Sequence, residues 1–270
     1  MSAGMITTSI IQESITLESA RLARPVTVDF YSAGRWTAGE TSLLLINDGQ
    51  DLYKMGFAKI LGDLDNRACL RPLLCAGIHA GPERKMEYGT AARTDYQGWG
   101  KSAGDYARFI LEELIPAIRH RFGIPSFRMK AMAGFSLGAL SAMDIVWQHP
   151  QEFSAAGLFS GSFWWRTRDK RDAAYDEKRD RIMHDEIRRG AYHPWLKFFF
   201  ECGTEDEQED RNQNGVIDSI DDTQDLIAEL VRKGYDRNRD IQYLEIDGGR
   251  HDVGTWGKAM PRFLQWGWGK

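Results

Sequence analysis

Two hydrophobic periods divide this chain. Met5 to Thr16 and Pro25 to Tyr31 carry alternating or β-branched apolar residues with turn residues between them, which predicts an antiparallel strand pair at one edge of a sheet. Thr41 to Ile46 and Leu73 to Ile78 are instead continuous apolar runs, the pattern of strands covered on both faces. The first empties into Asn47-Asp48-Gly49-Gln50-Asp51, the second into His79-Ala80-Gly81-Pro82-Glu83-Arg84 and a long polar stretch to Lys101. From Ser102 to Phe122 the apolar residues Tyr106, Phe109, Ile110, Leu114, Ile118 and Phe122 recur every three or four positions, which predicts an amphipathic helix with Ser102 as N-cap and a stop at Gly123 and Pro125. A short strand through Ala131–Ala133 then turns sharply into a helix beginning at Leu137. Further strands are predicted over Phe153–Phe159, Trp195–Cys202 and Ile241–Ile246, with helices over Thr223–Lys233 and Trp256–Trp266. Residues 166–193 are heavily charged and read as a cap-like region, helical or irregular.

Strands alternating with helices, with no linker and no internal repeat, predict one α/β domain over residues 1–270 with a mostly parallel central sheet flanked by helices and antiparallel strands at its N-terminal edge. A chain of this length buries roughly three quarters of the surface its unfolded form exposes, so its core needs no covalent staples. Composition narrows the partners. With 35 basic and 39 acidic residues the net charge is −4, which provides no electrostatic footprint for nucleic acid. Cys69, Cys75 and Cys202 are odd in number, and two lie in apolar runs, so they are expected to be reduced and structural. Met1 to Ser19 has no basic segment followed by an apolar core, and no run of eighteen apolar residues occurs anywhere; the expectation is a cytoplasmic chain without membrane contact, although a leader already removed would leave no trace.

The chemistry centres on Gly134-Phe135-Ser136-Leu137-Gly138, a G-x-S-x-G turn between strand and helix. Glycines two before and two after the serine remove side chains that would collide in so tight a turn, and the helix points unpaired amides and its positive dipole end at the hydroxyl. A serine needs an imidazole to take its proton and a carboxylate to orient that imidazole. Of the histidines downstream, His184 and His193 sit in or beside the charged region, whereas His251 lies in Asp247-Gly248-Gly249-Arg250-His251-Asp252, directly after the last strand. His251 is therefore the candidate base. The acid belongs in the loop holding Glu205, Asp206, Glu207, Glu209 and Asp210, with Asp206 favoured by the turn Gly203-Thr204 before it. Two backbone amides would hold an oxyanion: that of Leu137, and that of Gln50 or Gly49 in the loop after Thr41–Ile46.

The elbow, Ser160-Gly161-Ser162-Phe163-Trp164-Trp165, Gly203-Thr204-Glu205-Asp206 and Gly248-Gly249-Arg250-His251-Asp252 with Trp256 together resemble the enterochelin esterase and esterase D group of the α/β-hydrolase superfamily, from about residue 40 to the C-terminus. The resemblance implies an α/β-hydrolase fold and the triad Ser136, Asp206 and His251. It does not choose among the siderophore trilactone, feruloyl and acetyl esterases, S-formylglutathione hydrolases and mycolyl transferases of that group, some of whose siderophore esterases manage without the acid.

One stretch departs from the group. Asp210-Arg211-Asn212-Gln213-Asn214-Gly215-Val216-Ile217-Asp218-Ser219-Ile220-Asp221 fits a calcium loop and resembles that of dockerin modules. Asp210, Asn212, Asn214, the Val216 carbonyl, Asp218 through water, and Asp221 would supply hard oxygens around a sharp turn at Gly215. A calcium ion there would be structural, pinning the acid loop, and no organic cofactor is expected. Trp99, Trp164 and Trp165 could line a substrate pocket and Arg84 could orient an anionic substrate. The sequence thus predicts a serine ester hydrolase for a small-molecule ester. Acyl transfer by the same triad, or a calcium-dependent binding module with an idle elbow, are the rival readings. The ester itself and the oligomeric state are left open.

Overall fold

The computed structural model describes residues 10–34 and 36–270. Eight strands form a single sheet: β1 Ile11–Ser19, β2 Arg24–Ser32, β3 Ser42–Asn47, β4 Leu73–Ile78, β5 Lys130–Phe135, β6 Ala155–Phe159, β7 Lys197–Glu205 and β8 Ile241–Arg250, in the spatial order β1-β2-β4-β3-β5-β6-β7-β8. β1 pairs antiparallel with β2, and β2 antiparallel with β4. From β4 to β8 every pairing is parallel. The expected antiparallel edge is present, with β1 set at Ile11–Ser19; the part of that expectation covering Met5–Ser9 lies outside the described residues.

The central strands are buried along their whole length because helices cover both sheet faces. On one face pack Met132, Leu45 and Phe200 with helical residues such as Tyr106, Phe109, Leu140 and Leu226. On the other, Ala131, Ala133, Phe135 and Phe199 meet Phe57, Leu61, Trp256 and Phe263. The alternation of neighbouring residues between these two clusters is the two-residue period of a strand.

The helical elements that bear on the site are α1 Phe57–Asn66, α2 made of the successive segments Ala103–Arg108, Phe109–Leu114 and Ile115–Phe122, α3 Leu137–Gln148, α4 Ile182–Arg189, α5 Asp218–Lys233 and α6 Val253–Trp268. The middle segment of α2 is a π-helical turn, and Pro116 stands just inside the segment after it. Ser102 occupies the N-cap position of α2, but its hydroxyl makes no capping hydrogen bond; Gly123, at φ 62°, ends the helix in the left-handed conformation. α5 begins five residues earlier than its apolar pattern suggests, at Asp218. Within the charged region, α4 is held to α5 by charge: Arg181 pairs with Asp222 at 2.8 Å and Arg188 with Glu229 at 3.2 Å. No described helix is long and apolar enough to cross a membrane.

Candidate active site

Parallel strands deliver their following loops to one edge of the sheet. There the structure gathers Asp48 and Gln50 after β3, His79 after β4, Ser136 after β5, Ser160 and Ser162 after β6, Asp206 after β7 and His251 after β8.

Ser136 sits between β5 and α3 at φ 56°, ψ −121°, a conformation that costs a non-glycine residue of order 1–3 kcal/mol. Several contacts hold it there. Its amide donates to Phe159 O (2.9 Å), and its carbonyl accepts from Ser162 N (3.1 Å), Ala139 N (3.1 Å) and Leu140 N (3.3 Å). The flanking glycines are required by space: a Cβ on Gly134 would lie 2.3 Å from Gly138 O, and one on Gly138 would lie 2.6 Å from Asp48 Oδ2. Asn47 ties the loop after β3 to the elbow, with Nδ2 donating to Gly138 O (2.7 Å) and Oδ1 accepting from Tyr106 (2.6 Å). Leu137 opens α3, so its amide is among the first-turn donors that have no intrahelical acceptor. Ser136 Oγ lies 3.4 Å from Ser162 Oγ.

His251 is carried on a three-residue turn, closed by Asp252 N donating to Arg250 O (2.7 Å). The turn is anchored on both sides. Gly248 N donates to Thr204 Oγ1, Arg250 N donates to Thr255 Oγ1, and Asp252 caps α6 by accepting from Thr255 N, each at 2.8 Å. His251 is exposed, and its ring meets Trp256 edge to face, centroids 5.4 Å apart and planes at 80°. Trp256 in turn stacks on Phe135 (4.9 Å), next to Ser136, and donates from Nε1 to Ser160 Oγ (2.9 Å). A continuous set of contacts therefore joins Ser136 to His251. Burial lowers the His251 pKa, opposed by the Asp206 charge and reinforced by Arg84. A neutral imidazole is what a general base requires.

Asp206 follows the Gly203 turn, with its amide donating to Gly203 O (3.3 Å). Both carboxylate oxygens are buried, with Ser160 and the Gly203 backbone the nearby donors. Burial raises its pKa, against the opposing pull of Ser160, the Gly203 backbone and the His251 charge.

The remaining candidates divide. Gln50 is exposed, and its Oε1 accepts from Ala80 N (3.0 Å). Arg84 grips Asp48 with two hydrogen bonds, 2.6 and 2.7 Å, reaches Phe135 O at 3.5 Å and lies over the Tyr88 ring, so three of its five donors are already used. Trp165 is fully buried, its edge against Gly89 and Gly100, so it belongs to the core and presents no wall to a substrate. Trp164 is only half-buried and borders a cavity of about 340 Å³ together with Arg166, Lys170, Glu207 and Arg211. Trp99 lies beneath Lys85, whose Nζ is 4.3 Å from the ring centroid.

In the 210–221 loop, Asp210 accepts from Gly215 N (2.9 Å) and Asn214 N (3.2 Å), and Asn212 and Asn214 each donate from Nδ2 to Asp221 Oδ2 (2.9 Å). Val216 N donates to Asn214 Oδ1 (2.7 Å). Asp218 stands apart from this group: it accepts from Arg211 N (2.8 Å) and faces the Arg211 guanidinium. Among the described residues, no three His, Cys, Asp or Glu side chains are grouped to hold a metal ion.

Three residues that the structure places at or beside this edge carry little signal in the sequence. Asn47 and Ser162 are small polar residues within loops, where such residues are common. Glu201 is a carboxyl inside an apolar strand five positions before Asp206, a signal that the run of phenylalanines masks.

The model of the Esterase family ("Putative esterase") matches residues 19–266. The chain belongs to the Esterase family. It is 23% identical over 240 residues to "Uncharacterized protein YbbA" of Bacillus subtilis (strain 168), covering 86% of this chain and 88% of that one. Among solved structures it is similar to the enterobactin esterase FES from Shigella flexneri with enterobactin, at TM-score 0.74 and 22% identity over 95% of this chain. The match spans 58% of that longer protein. It is also similar to the IroE-like serine hydrolase from Shewanella oneidensis (TM-score 0.67, 17% identity, 94% of this chain and 80% of that one) and to the siderophore hydrolase EstB from Aspergillus nidulans (TM-score 0.66, 18% identity, 98% and 96%). At these identities the structural likeness establishes the α/β-hydrolase fold. The expected resemblance and fold class are therefore both met.

Proposed function

We propose that this chain is a serine carboxylic-ester hydrolase acting through an acyl-enzyme. The observation that carries the reading is Ser136 held at φ 56°, ψ −121° on a glycine-flanked turn, at the head of a helix. Strain of this kind persists only where the surroundings impose it. In the proposed cycle, His251 takes the Ser136 proton as Oγ attacks the ester carbonyl. The amides of Leu137 and Gln50 hold the oxyanion, and the alcohol leaves with the proton from His251. Water activated by His251 then releases the acid. Asp206 keeps the imidazole in the required tautomer and balances its transient charge.

A fluorophosphonate probe tests this directly. Folded wild type should be labelled at Ser136 and Ser136→Ala should not; wild type that stays unlabelled and hydrolyses no ester sinks the reading. For the substrate we favour an ester with an aromatic acyl group, since Trp164, half-buried in the segment after β6 that carries Ser160 and Ser162, lies beside Arg166. Related structures are described with 2,3-dihydroxy-N-benzoyl-serine and as a ferulic acid esterase. A panel of aryl and acetyl esters in the same assay ranks the two classes.

We also propose that Asp210, Asn212, Asn214, Val216 and Asp221 hold a structural calcium ion, with Asp218 the least suited member because Arg211 occupies it. A ligand present at a hundred times its Kd stabilises by about 2.7 kcal/mol, on the order of 5 °C for a domain of this size. Added calcium should raise Tm by about that much, chelator should reverse the rise, and Asp210→Ala should abolish it. A Tm indifferent to both additions removes calcium from the account.

A further inference from the structure

We propose that Glu201 is a positioning residue for Asp206, the two carboxyl groups forming one buried unit that shares a single proton and carries a single negative charge. The inference rests on the reading of Asp206 as the acid of the site.

Glu201 is 0% exposed, at the end of the apolar run of β7, and both of its carboxyl oxygens are buried. Its side chain lies on the same face of β7 as Phe199 and Gly203, the face covered by α6. Asp206 folds back over that face, for a Cβ added to Gly203 would lie 2.8 Å from Asp206 Oδ1. Two carboxyl groups thus come together in one dry place with all four oxygens buried, and the donors beside them are few: Ser160 for both groups and the Gly203 backbone for Asp206. Such an arrangement cannot hold two full charges.

The surroundings decide where the proton goes. From β6, Ser160 offers one hydroxyl proton; its Oγ already accepts from Trp256 of α6. From β8, the residue opposite Glu201 is Leu244, which offers nothing. His251 and Asp252, beyond β8, act on Asp206, and the Cys202 thiol on the opposite face of β7 is kept protonated by its burial. The potential positive charge, that of His251, therefore favours Asp206 as the anion. Glu201 keeps the proton and can give its O–H to Asp206. Burial first, and the Asp206 charge second, push the Glu201 carboxyl up to about 8.

The consequence is a second limb in the pH profile. Activity should rise with pH as His251 deprotonates, with a midpoint below the ordinary imidazole value, because the base works in its neutral form. It should fall again near pH 8, where Glu201 loses its proton, its hydrogen bond to Asp206 disappears and two like charges repel. Glu201→Leu removes the donor and should lower kcat about 10- to 100-fold with KM little changed. Glu201→Gln restores a neutral donor; it should recover kcat to within about threefold of wild type and lack the alkaline limb.

Infrared difference spectra supply a readout independent of catalysis. Wild type should show the carbonyl band of a protonated carboxylic acid that fades between ~pH 6.5 and ~pH 9.5, and Glu201→Gln should lack it. The buried Asp144 is pushed up to about 7, so the comparison is made in an Asp144→Asn background. An alkaline limb unchanged in Glu201→Gln overturns the shared proton even if Ser136 labels normally. Should the protein hydrolyse no ester, the function falls separately and the infrared band still decides. Should Glu201→Gln fail to fold, the absence of a wild-type band titrating near 8 overturns the proposal.

Discussion

Ser136→Ala will lower kcat for any ester the wild type turns over by about 10⁴- to 10⁶-fold, and Ser136→Gly will do the same while melting at a higher temperature than the alanine variant. The two substitutions remove the same nucleophile and differ only in backbone freedom. At φ 56°, ψ −121° alanine suffers the strain that serine does, whereas glycine does not. Relief of about 1–3 kcal/mol, less the ~0.4–1 kcal/mol that glycine loses through a freer unfolded chain, leaves a gap of about 1 kcal/mol. In a domain of this size that is roughly 2 °C. Steady-state kinetics and calorimetry of the three proteins check both halves. Equal melting of the alanine and glycine variants would show that the elbow is unstrained.

Gly203→Ala will destabilise the fold by about 3 kcal/mol or more and reduce kcat by at least about 100-fold. No positive φ is involved at this position; the reason is proximity. A Cβ there would stand 2.4 Å from both the carbonyl carbon and oxygen of Gly249, and 2.8 Å from Asp206 Oδ1. Backbone atoms cannot rotate away as a side chain can, so the ends of β7 and β8 must separate. Asp206 is carried on one of them and His251 on the other. Urea melts with kcat and KM measured on the folded fraction separate the two effects. Gly267→Ala is the control, because a Cβ there meets nothing within 4 Å and α6 gains a better helix former. A Gly203→Ala protein as stable and active as wild type would mean that this close approach is not maintained.

The parts of the fold visible in the sequence are those whose burial is complete. β3, β4 and the middle of β7 are unbroken apolar runs, and a run of that kind has few alternatives. Ser136 and His251 are legible for a related reason: each follows a strand, and glycines mark both turns. α1 carries Phe57, Leu61 and Leu64 at helical spacing, but it opens directly from Gly56 in a left-handed conformation, which blurs it into the loop before it. α4 offers only Ile182, Met183 and Ile187 as an apolar face, and its ion pairs with α5 form across about forty residues of chain. No local pattern reveals such pairing. Trp164 and Trp165 are adjacent and chemically identical, and only the packing of Gly89 and Gly100 decides which one enters the core. Glu201 fails as a sequence signal because its meaning depends on a turn that brings Asp206 back over the strand.

Among the described residues β8 is the last strand of the sheet and pairs only with β7, and most of its side chains are half-exposed or exposed. Rims of this kind open at lower free energy than the centre. His251, the proposed base, hangs from the rim, while Ser136, the proposed nucleophile, is locked into the middle of the sheet. Heat or denaturant can therefore silence the chemistry by peeling away a single strand, leaving the elbow assembled and ready to resume work when the rim closes again.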